Sequence, residues 1–115
     1  MINIKNNQQM YFGEYALKNI KKICESKKNL KGIFLFFVDH NLKNLNYLNN
    51  IILKINNSKI IYIDTTSEPS NLLIDKLSRR IKNYNHSINS IFGIGGGSTM
   101  DVAKAVSIVL NNKGK

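Results

Sequence analysis

Cysteine, histidine and long apolar runs are all scarce in this sequence. Cys24 is the only cysteine among 115 residues, so no internal disulfide can form. It lies on the apolar stripe of a predicted helix, which favours a buried thiol over a reactive one. No apolar run reaches the ~18 residues of a transmembrane helix, and residues 1–10 lack the apolar core of a signal peptide. We therefore expect one small cytoplasmic domain with no membrane partner.

Acidic residues are also scarce, with 7 against 17 basic ones, and the formal net charge is +10. Such a charge is typical of nucleic-acid-binding proteins. The basic residues are dispersed, however, and the adjacent pairs at 21–22, 27–28 and 79–80 fall on predicted helices. No RNA-recognition or helix-turn-helix signature places aromatic residues among them. Solvated helix faces explain the charge better, so we expect no nucleic-acid partner and rank a basic RNA-binding protein last.

Hydrophobic periodicity divides the chain into alternating strands and helices. Apolar runs predict strands over residues 10–12, 33–38, 60–63 and 90–94, and helical spacing predicts helices over residues 14–26, 42–55, 70–84 and 98–110. Ser70 and Ser98 are the predicted N-caps of the last two helices. The run at 33–38 contains three phenylalanines and suits a strand buried on both faces. This alternation predicts an α/β fold, a Rossmann-like parallel sheet built from βαβ units with right-handed crossovers.

The most informative stretch is residues 91–104, IFGIGGGSTMDVAK, where an apolar run leads through four glycines into a helical pattern. Glycines let the backbone approach a ligand closely and adopt positive φ. The following helix offers free N–H groups and the positive end of its dipole, so the pattern predicts a phosphate site. It lacks the Gly-Lys pair of a P-loop and matches the G-x-G-x-x-G fingerprint only loosely. A tight strand-to-helix turn without a ligand is the alternative.

The longer run GGGSTMDVAK resembles the signature of the iron-dependent (group III) alcohol dehydrogenase family, which is GGGS, two variable positions, Asp, two residues and Lys. The resemblance extends along essentially the whole chain. Residues 11–17 resemble the turn into the family's first helix, residues 36–39 its strand that ends in a cofactor-binding aspartate, and residues 68–70 its P-x-P-[ST] segment. Residues 63–77 and 93–107 are most similar to one branch, the 3-deoxy-D-manno-octulosonate 8-oxidases.

The resemblance implies NAD as the cofactor and a set of residues that contact it: Asp39, Gly95, Gly96, Gly97, Ser98, Thr99 and Asp101. In the family the glycine loop and its serine wrap the pyrophosphate. Asp39, at the carboxyl end of a strand, would accept the adenosine ribose hydroxyls and repel a 2′-phosphate. Asp101 would lie near the nicotinamide-side ribose. The alternatives are a helix cap for Ser98, a turn residue for Asp39 and an acid stabilised by the helix dipole for Asp101.

Histidine is too scarce for the family's metal site. The family holds iron or zinc between one aspartate and three histidines of a helical domain, whereas this chain has only His40 and His86, which are not at ligand spacing. The sequence contains no catalytic triad and no carboxylate dyad. The resemblance therefore implies that residues 1–115 are an N-terminal dinucleotide-binding domain, truncated and inactive alone, with the metal expected only in an absent C-terminal helical domain. Without that domain we expect exposed apolar surface near Phe34, Phe36 and the glycine loop, and a tendency of the chain to dimerise there or to aggregate.

The resemblance also implies a function for the full-length enzyme, which we expect to be a homodimeric oxidoreductase. Its substrate would be the C8 primary hydroxyl of 3-deoxy-D-manno-octulosonate, a sugar acid of lipopolysaccharide. A general NAD-dependent iron-type alcohol or lactaldehyde dehydrogenase is the first alternative, and a non-catalytic dinucleotide-binding remnant is the second. NAD and oxygen both remain open as the final electron acceptor.

Overall fold

The computed structural model describes residues 9–84 and 86–111, in which strands and helices alternate. In chain order they are β1 (Gln9–Phe12), α1 (Gly13–Ser26), β2 (Ile33–Asp39), α2 (Asn46–Leu53), β3 (Ser58–Ile63), α3 (Ser70–Lys82), β4 (Ile88–Ile94) and α4 (Gly97–Asn111). A short 3-10 turn, His40–Leu42, stands between β2 and α2. The alternation confirms the predicted α/β fold. None of the helices in this described part has both the length and the hydropathy to cross a bilayer.

The sheet of the described residues is parallel throughout, with the strand order β1-β4-β2-β3. β4 follows the other three strands in the chain, yet it lies between β1 and β2. Val38 pairs with Ile94 in this register, so the residues that follow them, Asp39 and Gly95, reach the same edge of the sheet. The sheet confirms the Rossmann-like arrangement and places two predicted site residues side by side.

The side chains of β2 alternate between two apolar layers, one on each face of the sheet. The layer shared with α1 and α2 contains Phe34, Phe36 and Val38. The layer shared with α3 and α4 contains Leu35 and Phe37. These five side chains are all buried, which confirms the prediction of a strand covered on both faces.

The predicted apolar exposure near Phe34 and Phe36 is wrong. The two side chains are 5% and 0% exposed, because α1 and α2 cover this face of the sheet. Phe36 also stacks on Phe92 of β4, with 4.5 Å between the ring centroids and an interplanar angle of 11°. The first two helices therefore complete this layer without help from another domain.

The second helix is shorter than predicted, spanning Asn46–Leu53 instead of residues 42–55. Its start is displaced because the Asp39 carboxylate accepts a hydrogen bond from the backbone N–H of Asn41 at 2.9 Å, which caps a separate 3-10 turn. Leu45 matches the helical spacing but precedes the helix and is 40% exposed. Local side-chain bonding at the end of β2 thus overrides the apolar periodicity.

The two predicted serine caps are also wrong. Pro69 is the N-cap of α3, and Ser70 is its first helical residue. In α4, which begins at Gly97, the Gly96 carbonyl accepts the N–H of Met100 at 3.0 Å, so Ser98 lies within the first turn. In both places the first turn of the helix closes on the carbonyl of a residue that precedes the serine, Pro69 in α3 and Gly96 in α4.

Candidate functional site

The candidate site lies where the carboxyl ends of β2 and β4 meet. The two strands are neighbours in the sheet, but the helices that follow them pack on opposite faces. Leu48 of α2 belongs to one apolar layer and Val106 of α4 to the other. Neighbouring parallel strands whose following helices diverge leave a crevice between them, and ligands of open α/β sheets bind in that crevice. The topology therefore singles out this edge of the sheet.

Gly95 directly follows β4 at this edge, and the packing requires a glycine there. Its φ is +145°, in a region that residues with a side chain rarely adopt. A Cβ built on Gly95 would lie 2.7 Å from the Cβ of Asp39 and 3.3 Å from the Cβ of Thr99. Because it has no side chain, the chain can leave β4 in direct contact with the end of β2.

Gly96 and Gly97 have a different environment, since the protein itself places nothing against them. Both are exposed, neither has a positive φ, and a Cβ on either would meet no atom within 4 Å. The open space adjoins the start of α4, whose first N–H groups have no acceptor within the helix. Ser98, exposed in the first turn, adds a hydroxyl. A phosphate group fits this place, because the amino end of a helix attracts anions.

The Asp39 carboxylate is held at the rim of the crevice by two hydrogen bonds. Its Oδ1 accepts the backbone N–H of Asn41 at 2.9 Å, and its Oδ2 accepts the hydroxyl of Thr99 at 3.2 Å. Asp39 is half-buried. An ionised carboxylate has about four lone-pair positions, so both oxygens keep capacity for further donors such as the hydroxyls of a ribose.

Thr99 and Asp101, the remaining predicted contacts, lie at different depths. Thr99 is 2% exposed, and its hydroxyl supports Asp39 from beneath the loop. Asp101 is exposed in the amino-terminal part of α4. The structure thus brings Asp39, Gly95 and Thr99 into one packed unit, with the two exposed glycines above it.

A second aspartate, which was not predicted from the sequence, lies at the same edge of the sheet. Asp64 directly follows β3, and its Oδ1 accepts both the hydroxyl and the N–H of Thr66, at 2.6 and 3.0 Å. These bonds hold the pKa of Asp64 below its usual value, and the imidazole of His40, whose Nε2 lies 3.6 Å from Oδ1, acts in the same direction. The sequence pattern that indicated Asp39, an aspartate directly after an apolar run, is also present at Asp64 and could have predicted it.

The two histidines stand at opposite edges of the sheet. His40 follows β2 at the carboxyl edge, whereas His86 precedes β4 at the amino edge. Within residues 9–84 and 86–111, no three side chains of His, Cys, Asp or Glu come together in a group that could hold a metal ion. The described residues therefore offer no set of ligands for a resident metal.

Almost the whole chain, including all of the residues of the candidate site, matches the model of a known protein family. The family model of iron-containing alcohol dehydrogenase matches residues 7–115. The matched range includes the ends of β2 and β4, the glycine loop and the helix that follows it.

Proposed function

This chain belongs to the iron-containing alcohol dehydrogenase family, a family of alcohol dehydrogenase-type oxidoreductases, and we propose that it is the part of such an enzyme that binds NAD. One observation carries the proposal. The space over Gly96 and Gly97 is open, and the glycine before them, Gly95, packs against Asp39, whose carboxylate is anchored at the end of the neighbouring strand. A dinucleotide needs these two features together, a cradle for phosphate and an acceptor for ribose hydroxyls.

The residues of the crevice would divide the cofactor between them. The backbone N–H groups at the start of α4 and the hydroxyl of Ser98 would hold the pyrophosphate. The free lone pairs of Asp39 would accept the adenosine ribose hydroxyls. Asp101 would lie toward the nicotinamide-side ribose. When bound, the nicotinamide supplies the acceptor for a hydride from the alcohol carbon, and the protein fixes where that acceptor lies.

The charge of Asp39 supports NAD over NADP. A 2′-phosphate on the adenosine ribose would place negative charge beside a carboxylate that Asn41 and Thr99 hold in position. Because Asp39 is half-buried, water screens this repulsion less than it would at an open surface. We expect the carboxylate to favour NAD through attraction to the ribose hydroxyls and through rejection of the phosphate.

For the substrate, we propose the C8 primary alcohol of 3-deoxy-D-manno-octulosonate. The support is the similarity of residues 63–77 and 93–107 to the 8-oxidase branch, and a general alcohol or lactaldehyde is the alternative within the family. The described residues offer no set of metal ligands, and we propose that a further helical domain of the enzyme holds the family's iron or zinc. We also propose that the 115-residue chain does not oxidise alcohols by itself and that the complete enzyme is a cytoplasmic homodimer.

The test is a titration of the 115-residue chain with NAD and with NADP, followed by NMR of the backbone amides. We expect the amides of residues 95–101 to shift with NAD, with weaker binding of NADP. Asp39→Asn keeps the shape of the side chain and removes its charge. It should lower the ratio of the NADP dissociation constant to the NAD dissociation constant by about tenfold, the effect of one hydrogen bond to a charged group. Asp75→Asn is the matched control, because Asp75 is exposed on α3 and pairs with Arg79.

Two results would contradict the proposal. Shifts confined to the lysine-rich helices, with residues 95–101 unchanged, would mean that the glycine loop is only a turn. An NAD preference that is the same in Asp39→Asn and in the unmodified chain would make Asp39 a turn residue without a role in cofactor choice.

A further inference from the structure

We propose that Thr99 is a positioning residue, which orients the Asp39 carboxylate and thereby sets the preference between NAD and NADP. This inference rests on the proposed NAD site. It assigns to Thr99 a role other than contact with the cofactor, since the side chain lies beneath the glycine loop and is 2% exposed.

The first support is that the hydroxyl of Thr99 makes its hydrogen bond outside its own helix. Hydroxyl groups of the helices commonly bond back to the carbonyl four residues earlier. Ser78 and Ser107 do so, donating to the carbonyls of Ile74 and Ala103, each at 2.8 Å. The hydroxyl of Thr99 donates instead to Oδ2 of Asp39 on the neighbouring strand, 60 positions away in the chain, at 3.2 Å.

The second support is that this bond completes the restraint on the carboxylate. The Asn41 N–H holds Oδ1 from the chain that follows β2, and Thr99 holds Oδ2 from the helix that follows β4. With only one of the two donors, the carboxylate could rotate about χ2, which is a soft torsion in aspartate. With both, its plane is defined and its remaining lone pairs keep one direction.

The third support is the close packing around Gly95. A Cβ at this position would meet the Cβ atoms of both Asp39 and Thr99, so the absence of a side chain brings the two residues together. The start of α4, which would hold the pyrophosphate, and the carboxylate, which would hold the ribose, are therefore linked through Thr99. Displacement of the helix start would be transmitted to Asp39.

Removal of the Thr99 hydroxyl should therefore change the preference between NAD and NADP more than it changes the stability of the fold. Thr99→Val keeps the branched shape and removes the donor. We expect NAD binding to weaken and the NAD-to-NADP preference to narrow by roughly tenfold, the effect of one hydrogen bond to a charged acceptor. Thr99→Ser keeps the hydroxyl and should restore the preference.

The experiment measures dissociation constants of NAD and NADP for the 115-residue chain by NMR titration, in the unmodified protein and in the two Thr99 variants. Ser107→Ala is the matched control, because it removes another buried hydroxyl from α4 that bonds only within the helix. Thermal unfolding of each variant confirms that it is folded. If the valine disturbs the loop, Thr99→Ala takes the place of Thr99→Val, because alanine lacks the hydroxyl and is too small to crowd Gly95.

The outcomes separate this inference from the proposed function. A narrowed preference in Thr99→Val, restored in Thr99→Ser and unchanged in Ser107→Ala, supports it. If the unmodified chain binds NAD through the loop and Thr99→Val and Thr99→Ala keep its preference, the proposed function stands and Thr99 is a packing residue only. If the unmodified chain binds neither dinucleotide at the loop, the proposed function fails and this inference fails with it.

Discussion

Alanine at each of the three consecutive glycines should separate the glycine that the fold requires from the two that the proposed cofactor site requires. In Gly95→Ala the new methyl group would stand 2.7 Å from the Cβ of Asp39, and the residue would have to keep a φ of +145°. In Gly96→Ala and Gly97→Ala the methyl group would enter open space, with no positive φ to maintain. Each variant adds one methyl group to the chain, at one of three adjacent positions, so each is a control for the others.

The magnitudes follow from these environments. A strained backbone conformation costs about 1–3 kcal/mol, and overpacking in a region that cannot relax costs about as much again. We therefore expect Gly95→Ala to lower the free energy of unfolding by about 3 kcal/mol, a fall in Tm of roughly 15 °C for a domain of this size. Gly96→Ala and Gly97→Ala should stay within about 0.5 kcal/mol of the unmodified chain, while each methyl group occupies the space proposed for the pyrophosphate.

The assay combines urea unfolding, followed by circular dichroism, with NAD titration followed by NMR. The expected pattern is loss of stability in Gly95→Ala, and loss of NAD binding without loss of stability in the other two. A Gly95→Ala chain as stable as the unmodified one would refute the steric account of Gly95. If Gly96→Ala and Gly97→Ala bind NAD as well as the unmodified chain does, the phosphate cradle is not at these residues.

Three further predictions concern the core and two titrating groups. Phe92→Ala should lower the free energy of unfolding by about 3–5 kcal/mol in urea denaturation, because it removes a fully buried ring that stacks on Phe36; a loss under 1 kcal/mol would contradict that packing. Burial raises the pKa of the Cys24 thiol to about 12, so a thiol reagent at pH 8 should label the chain only in denaturant, and rapid labelling of folded chain would show an accessible thiolate. Thr66→Val should raise the pKa of Asp64 toward 3.8, as followed by NMR, because it removes the hydroxyl of Thr66, which is the largest cause of the lowered pKa, and keeps the backbone N–H. Since the folded-state pKa is lowered, the stabilisation from Asp64 is present above pH 3.8 and is lost as the pH falls through the folded value. An unchanged pKa in Thr66→Val would exclude the Thr66 hydroxyl as the main cause.

Much of the fold was predictable because its signals are local. Apolar runs indicated every β-strand of the described residues and helical spacing indicated every α-helix, since both patterns are encoded in neighbouring positions of the chain. The errors lie at the ends of the helices, where a single hydrogen bond decides which residue begins the helix. The Asp39 side chain caps a separate turn and delays α2, and Gly96 takes the capping position that the pattern assigned to Ser98.

The sequence by itself determined the α/β class, the two-sided burial of β2 and the position of the glycine loop between a strand and a helix. Only the tertiary structure decided that β4 lies beside β2, so that Asp39 and Gly95, which are 56 positions apart in the chain, meet at one edge. It alone separated Gly95 from the two open glycines and directed the Thr99 hydroxyl to Asp39. The physical reason is that strand order and side-chain packing depend on contacts between distant segments, whereas periodicity records only how each segment buries its own apolar side chains.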